Sequence, residues 1–513
     1  DPFMNNQGFA TIRLAHAPAV SKDQGNRQKQ APAGPRWGVG QEHTIMSIDS
    51  ARHILEKSII YYRGEPVGTS AAADPNPAAD NYEEVFIRDF VPSAIYFLMR
   101  GQTGIVRNFL REVMHLRGQQ AVLKGHQRSA GLMPASFRVI KDTDGERLQA
   151  DFGNRAIGRV VPVDSAMWWL FLLRAYVIAT SDWGFVNSDD VQTCMREILD
   201  LYLTERFESS PTLLVPDGSF MIDRRMAVYG NPLEIQTLFY GMLMTSKELL
   251  QCPEAETERL DNLDIRVRAL RAYVRHHYWL DRERLNEIHR FKGEELGIEA
   301  TNVLNVYPES IPDWMDGWLD ACSGYLVGNQ GPGRVDFRFF AQGNLLAVLF
   351  GLASERESQS IMNLFELHWD KLMGEMPVKI VYPAVFGKEW MYLTGSDPKN
   401  MQWSYHNGGN WPVLIWPFVG AALRTGREDI AERAVQQMAQ RLQSDNWPEY
   451  YDGRSGSLIG RRANFFQTWS ATGLLVANEI LENPTSRVMF NLFAFTDATT
   501  NRCSVNLHQN QIQ

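Results

Sequence analysis

Apolar residues recur at three- and four-residue spacing along most of this chain. Ile48, Ala51, Ile54, Leu55, Ile59 and Tyr62 keep that spacing, which predicts an amphipathic helix over 45–62. The same periodicity predicts helices over 93–99, 103–116, 165–180, 188–207, 233–250, 256–278, 342–354, 358–373, 411–425, 428–442 and 465–483. Asn, Ser and Asp mark helix starts, as in Asn187-Ser188-Asp189-Asp190. The connections over 64–79, 310–316, 328–338, 382–403 and 447–462 are rich in Gly, Asp, Asn, Pro and aromatics. Strand and helix do not alternate, which argues against a parallel sheet. No fixed-period repeat is visible, which disfavours a thin solenoid. The expectation is an all-α fold: paired helices closing into a ring, or else an irregular helical bundle. In the ring, loops at one end would form a pocket and polar residues at helix N-termini would gather at its rim.

The chain has 513 residues, enough for one large core or two to three smaller ones. Residues 1–40 are Gln-, Pro- and Ala-rich and read as a mobile arm, with Asp1-Pro2-Phe3 a scar of expression ahead of a native Met4. A catalytic domain is expected over 41–485 and a tail over 486–513. The balance of 51 basic against 60 acidic residues gives a net charge of -9. That excludes nucleic acid and an anionic membrane surface as main partners. The longest apolar run, over 166–180, carries Arg174 in mid-course, so it reads as a buried helix and not a membrane span. Cys194, Cys252, Cys322 and Cys503 are scattered without CxxC or zinc spacing, which fits a reducing, cytoplasmic setting. The histidines show no ligand spacing, and GxSxG, P-loop and dinucleotide fingerprints are missing, so neither a metal nor a cofactor is expected.

Asp164 is the first candidate for chemistry. It stands at a predicted helix start, with Trp168 and Trp169 one turn on and the loop 153–159 placed to fold over it. A dry, aromatic setting favours the protonated form of a carboxylic acid and suits it to donate a proton. The plain reading is an N-cap, and a helix N-terminus pulls the other way by favouring the carboxylate. Glu389, beside Trp390, is a candidate base to activate water, against the plain reading of a solvated glutamate paired with Lys388. The loop from Ser396 to Trp411 gathers Asn400, Trp403, Tyr405, His406 and Asn407 around Gly408 and Gly409, a mixture suited to sugar hydroxyls and stacked rings. Arg88-Asp89 and Asp336-Phe337-Arg338 set charge between hydrophobics, and each could hold a sugar or close a helix end; Asp223-Arg224-Arg225 is a less specific version.

The motifs PVDSAMWW (162–169), TGSDPKN (394–400) and WSYHNGGNWP (403–412) closely resemble those of the alkaline/neutral invertases, plant and cyanobacterial glycoside hydrolases. VFIRDFV (85–91), GLMPASF (131–137), DFRFFAQGN (336–344) and GRRANFFQTWSATG (460–473) look like further blocks of that family, and the resemblance runs from about residue 47 to about 482. It implies an (α/α)6 barrel of six helix pairs that hydrolyses sucrose with inversion, without metal or cofactor. It implies that Asp164 is the general acid. It implies that the base is a glutamate just upstream of the TGSDPKN block, here Glu389, with Glu375 nearby as the other possibility. Arg88, Asp89, Asp336, Arg338, Asn400, Trp403, Tyr405, His406, Asn407, Trp411 and Gln467 would line the sugar site. A homo-oligomer is expected. An inverting pair would hold its carboxyls roughly 6.5–9.5 Å apart. The competing readings are a barrel glycosidase or phosphorylase for another α-glucoside, a sugar epimerase with paired histidines, and a sugar-sensing scaffold lacking an acid or base.

Overall fold

The computed structural model describes residues 39–74, 81–118, 121–123, 126–128, 130–143, 145–155, 161–203, 208–209, 211–215, 218, 220–222, 226, 228–252, 257–291, 304, 306–331, 334–459 and 464–490. Nearly all of the expected N-terminal arm and of the C-terminal tail falls outside them. The helix cycle, the sheets and the candidate site belong to one compact unit, Gly40–Gln513.

The helices are α1 (Val39–Lys57), α2 (Ile87–Met99), α3 (Thr103–Leu116), α4 (Ser165–Thr180), α5 (Trp183–Val186), α6 (Asp189–Tyr202), α7 (Leu233–Leu249) and α8 (Thr257–His277). They continue as α9 (Arg282–Phe291), α10 (Ala341–Leu349), α11 (Glu355–Leu367), α12 (Trp369–Leu372), α13 (Gly387–Thr394), α14 (Ile415–Arg424), α15 (Glu428–Leu442) and α16 (Thr468–Glu482). Two kinds of helix sort by their sequence. In α4 every residue from Ser165 to Val177 is buried, as expected of a helix apolar on all sides. In α15 only the stripe Ile430, Ala431, Ala434, Val435, Met438, Ala439 and Leu442 is buried.

The all-round apolar helices pack on one another in a cycle. Helix α2 packs on α4, α4 on α7, α7 on α10, α10 on α14, α14 on α16, and α16 back on α2. The striped helices lie against them: α3 on α2 and α4, α8 on α7, α11 on α10 and α14, and α15 on α14 and α16. Ser47 of α1 donates to the Ala439 carbonyl of α15, and Gln192 of α6 donates to the Leu249 carbonyl of α7.

The expectation of an all-α chain is corrected by antiparallel sheet. Ser136–Asp142 and Gly145–Asp151 form a hairpin that also pairs Val85–Phe86. Gly324–Gly331 and Arg334–Phe340 form another, extended by Asn231–Pro232, Trp279–Asp281 and Val381–Tyr382. The stretch 328–338, read as a loop, is the turn end of this hairpin. Its glycines suggested loop, but Gly328 is in a strand because a side chain there would meet the Phe340 ring at 2.7 Å. The expected helix 45–62 ends at Lys57, and Ile59–Tyr62 is a strand. The expected helix 358–373 begins earlier, at Glu355, where Ser354 and Glu357 close a capping box, and breaks at His368, which stacks on Trp318 at 4.1 Å. Helices α9 and α13 form where none was expected. Among the described residues no helix is long and apolar enough to cross a membrane. Cys194, Cys252 and Cys322 are not joined in disulfides, and Cys503 lies outside the described residues.

Candidate active site

Asp164 occupies the N-cap position of α4, yet its side chain caps nothing. Its backbone carbonyl accepts the first helical bond, from the Trp168 N–H at 2.9 Å. The carboxylate turns instead toward α2. There the Arg88 guanidinium donates from Nε to Oδ2 at 2.6 Å and from Nη2 to Oδ1 at 3.0 Å. One helical turn brings the Trp168 indole alongside, and its Nε1 donates to Oδ2 at 3.1 Å. The Asp164 side chain is fully buried, and that of Arg88 is 18% exposed. The N-cap expectation therefore holds for position and fails for the side chain, because a charged fork and an indole N–H outcompete the helix's own amides.

Two more carboxyls stand close by. Asp89 is pushed up to about 7 by burial; the Arg88 charge opposes this, while Glu449 and Asp164 add to it. Glu234, the second residue of α7, is pushed up to about 8 by burial and then by the Asp164 charge. Its Oε1 accepts from the Met221 N–H at 3.0 Å and from the Gln342 amide at 3.4 Å. Glu234 is absent from the residues expected from sequence. Its signal is a glutamate one residue into a helix buried over its first eleven residues, right after Pro232-Leu233. Glu449 was missed as well: it is buried and accepts from the Tyr82 hydroxyl at 2.9 Å and from Asn464 Nδ2 at 3.0 Å.

These groups sit together because the helix cycle points one way. Arg88, Trp168, Glu234, Gln342, Trp416 and Trp469 each fall within the first four residues of α2, α4, α7, α10, α14 and α16. All of them except Glu234 line one small cavity of about 20 Å3, together with Met221. The cavity takes a water-sized occupant at most and not a sugar. Converging N-termini add positive potential and favour anionic carboxylates; burial works against it.

Glu389 lies in the first turn of α13, half exposed, and pairs with Arg334 Nη2 at 3.0 Å. Lys388 is not its ion-pair partner. Glu375 is exposed elsewhere, its Cβ set against Gly456. Asp336 and Arg338 share one face of a strand two residues apart, and Arg338 Nε reaches Asp336 Oδ1 at 2.9 Å. Burial pushes Asp336 up, but the guanidinium overrides it and holds the carboxyl below its usual range. Arg338 Nη1 is buried with no hydrogen-bond partner, and Glu389 acts on the same guanidinium.

The loop after α13 separates groups that face the site from groups that hold the backbone. Asn407 is fully buried; its Oδ1 accepts from the Val385 N–H at 2.8 Å, and its Nδ2 donates to the carbonyls of Val385 and Asn400. Asn400 accepts from the His406 N–H and donates to Asp397. The Trp390 indole donates to the Asn400 carbonyl at 2.6 Å. Both asparagines thus tie down the ends of the Glu389 helix. His406 is buried between Tyr405, stacked at 3.8 Å, and Trp411, at 5.1 Å. Trp411 is also buried and donates to the Tyr405 carbonyl. Trp403 and Tyr405 remain partly exposed, both at positive φ. Gln467 precedes α16, wholly buried, and its Oε1 has no partner. The loop over Asp164 is described only as far as Arg155, which pairs with Glu84. Asp223-Arg224-Arg225 lies outside the described residues. Among the described residues no cluster of His, Cys, Asp and Glu could hold a metal.

A family model described as alkaline and neutral invertase matches residues 51–484. The chain belongs to that family. This invertase is a glycoside hydrolase, 48% identical over 448 residues to the probable alkaline/neutral invertase D of Arabidopsis thaliana, covering 87% of this chain and 84% of the relative. It is 47% identical over 464 residues to cytosolic invertase 1 of Oryza sativa subsp. japonica, covering 90% and 82%. Relatives named chloroplastic and mitochondrial also match. In structure it is similar to a wild-type glycosidase, with a TM-score of 0.52 at 12% identity, covering 86% of this chain and 97% of the other. At that identity the likeness shows a shared helix-rich glycosidase fold.

Proposed function

We propose that this invertase hydrolyses sucrose to glucose and fructose by a single inverting displacement, with Asp164 as general acid and Glu389 as base. The fold we propose is an (α/α)6 barrel with a catalytic domain over 41–485, in which the helix cycle is the inner ring. The observation that carries this reading is the hold on Asp164. A general acid ends its step as a carboxylate, and the Arg88 fork and the Trp168 indole N–H stand ready for that product state. They strengthen as the proton leaves, which is how an enzyme favours the transition state over the ground state.

In the proposed step Asp164 gives its proton to the glycosidic oxygen, and the bond between that oxygen and the glucosyl carbon breaks. A water attacks the same carbon from the opposite face, and Glu389 takes its proton. Glu389 is favoured over Glu375 by its shared field with Arg338, whose unpartnered Nη1 is available for a sugar hydroxyl. Arg88, Asp89, Asp336, Trp403 and Tyr405 would complete the sugar site, with Trp411, His406, Asn400, Asn407 and Gln467 supporting it. The cytoplasm is the proposed compartment, in line with the cytosolic relative.

The test follows the product anomer by NMR during sucrose hydrolysis. Initial release of β-glucose supports inversion; initial α-glucose overturns it. Asp164→Asn should lose about 10²–10⁴ in kcat while still binding sucrose. Glu389→Ala should lose turnover comparably and regain part of it with azide, a small anion that can attack in place of the activated water.

A further inference from the structure

The proposed reaction uses Asp336 and Arg338 of their strand and leaves Arg334 without a part. Arg334 and Asp336 lie two residues apart in a regular stretch of the hairpin, opposite Gly331 and Asn329, so their side chains share a face. On that face two cations divide two carboxyls between them. Arg338 turns its fork on Asp336, with Nε reaching both carboxylate oxygens at 2.9 and 3.1 Å and Nη2 reaching Oδ2 at 2.5 Å. Arg334 is left to reach across to α13, where its Nη2 donates to Glu389 Oε1 at 3.0 Å. Among the described residues no other cation pairs with Glu389, and its Oε2 makes no hydrogen bond.

The two side chains are 58% and 51% exposed, and a pair that open contributes little to stability. Its use lies elsewhere. Both backbones are fixed: Arg334 by the hairpin register, and α13 by Asn407 on Val385 and by the Trp390 indole on the Asn400 carbonyl. The Glu389 side chain between them is long and free to swing without its partner. A base must stay within hydrogen-bond reach of the proton it takes. We infer that Arg334 is a positioning residue for the base: it holds Glu389 Oε1 and so leaves Oε2 aimed at the attacking water. The inference rests on the proposed role of Glu389. The guanidinium supplies a planar donor at a set distance from the strand, which a lysine ammonium on its flexible stem does not.

The test is a double-mutant cycle in the full-length enzyme. Arg334→Met keeps the length of the stem and removes the charge and the donors. Its kcat on sucrose should fall about 10- to 100-fold, the cost of a misplaced reacting group, with KM changed far less and Tm near wild type. Arg334→Lys should recover part of that kcat. In the Glu389→Ala background, Arg334→Met should cost nothing further, because the side chain it aims is gone. A purely structural Arg334 would instead cost the same in both backgrounds, and that result overturns the inference. So does a kcat in Arg334→Met equal to or above wild type, the latter meaning that the ion pair restrains the base. Glu389→Ala alone separates the two levels. If that variant turns over normally, the base assignment falls; if it is slow while Arg334→Met keeps its kcat, only the positioning role falls.

Discussion

Arg88 and Asp164 form a two-bond clamp between the first turn of α2 and the start of α4, at 2.6 and 3.0 Å, with the carboxylate fully buried. The clamp joins two neighbours in the helix cycle and at the same time orients the candidate acid. Removing its cation should therefore act on stability and on turnover together. Arg88→Ala leaves a buried carboxylate without its cation, at a cost of about 3–5 kcal/mol. Thermal and denaturant unfolding should show that loss. Arg88→Lys should recover part of the stability and little of kcat, because an ammonium cannot make the fork.

Asn407 offers a way to separate holding from binding. Its amide makes three bonds to the backbone of the segments flanking α13. Asn407→Ala should leave buried amide and carbonyl groups unsatisfied, at about 1–3 kcal/mol each. Turnover should fall because Glu389 moves, and KM should change far less than kcat. A large rise in KM at unchanged kcat would make Asn407 a sugar ligand instead.

Gly409 is set by space. A Cβ there would come to 2.6 Å from the Tyr405 carbonyl oxygen, which is backbone and cannot swing away. Gly409→Ala should cost about 1–3 kcal/mol as an overpacked site and disturb the stacked Tyr405 and His406 rings. The denaturant midpoint and the near-ultraviolet circular dichroism of those aromatics should both shift.

Stability should depend on pH in two opposing limbs. Asp89 rises from its ordinary 3.8 to about 7 and Glu234 from 4.5 to about 8, both first through burial. The folded chain therefore binds more protons than the unfolded chain between those values. Their stabilising contribution is complete below about pH 4 and is lost as pH rises through 7 and 8. Lys379, buried against Asn410 and Gly453, falls from 10.5 to about 8 through burial. Its buried charge opposes folding below 8, and that penalty is relieved between 8 and 10.5. Urea midpoints should fall toward pH 8 and then recover in part. Asp89→Asn should flatten the falling limb and Lys379→Met the recovery.

The sequence by itself determined the helices whose apolar residues lie on a clear stripe or run unbroken, and α3, α4 and α15 have the predicted bounds. It also picked out the family, because PVDSAMWW and WSYHNGGNWP are local strings, and the placement of Asp164 at a helix start, because cap position is set by neighbours in the chain. Only the tertiary structure decided the rest. The strands of the two hairpins are held by cross-strand partners and carry glycine and charge, so they have no clean two-residue period to read. Whether Asp164 caps its own helix depended on a guanidinium 76 residues earlier in the chain. Asn400 and Asn407 looked like sugar ligands by composition, and the bonds of Asn400 to Asp397 and His406 and of Asn407 to Val385 tie them to the segments flanking α13. Glu234 carried no motif at all; its meaning came from packing α7 between α4 and α10, which brings its carboxyl into the field of Asp164. Local propensity is written residue by residue, whereas clamp geometry needs groups far apart in the chain to be buried side by side.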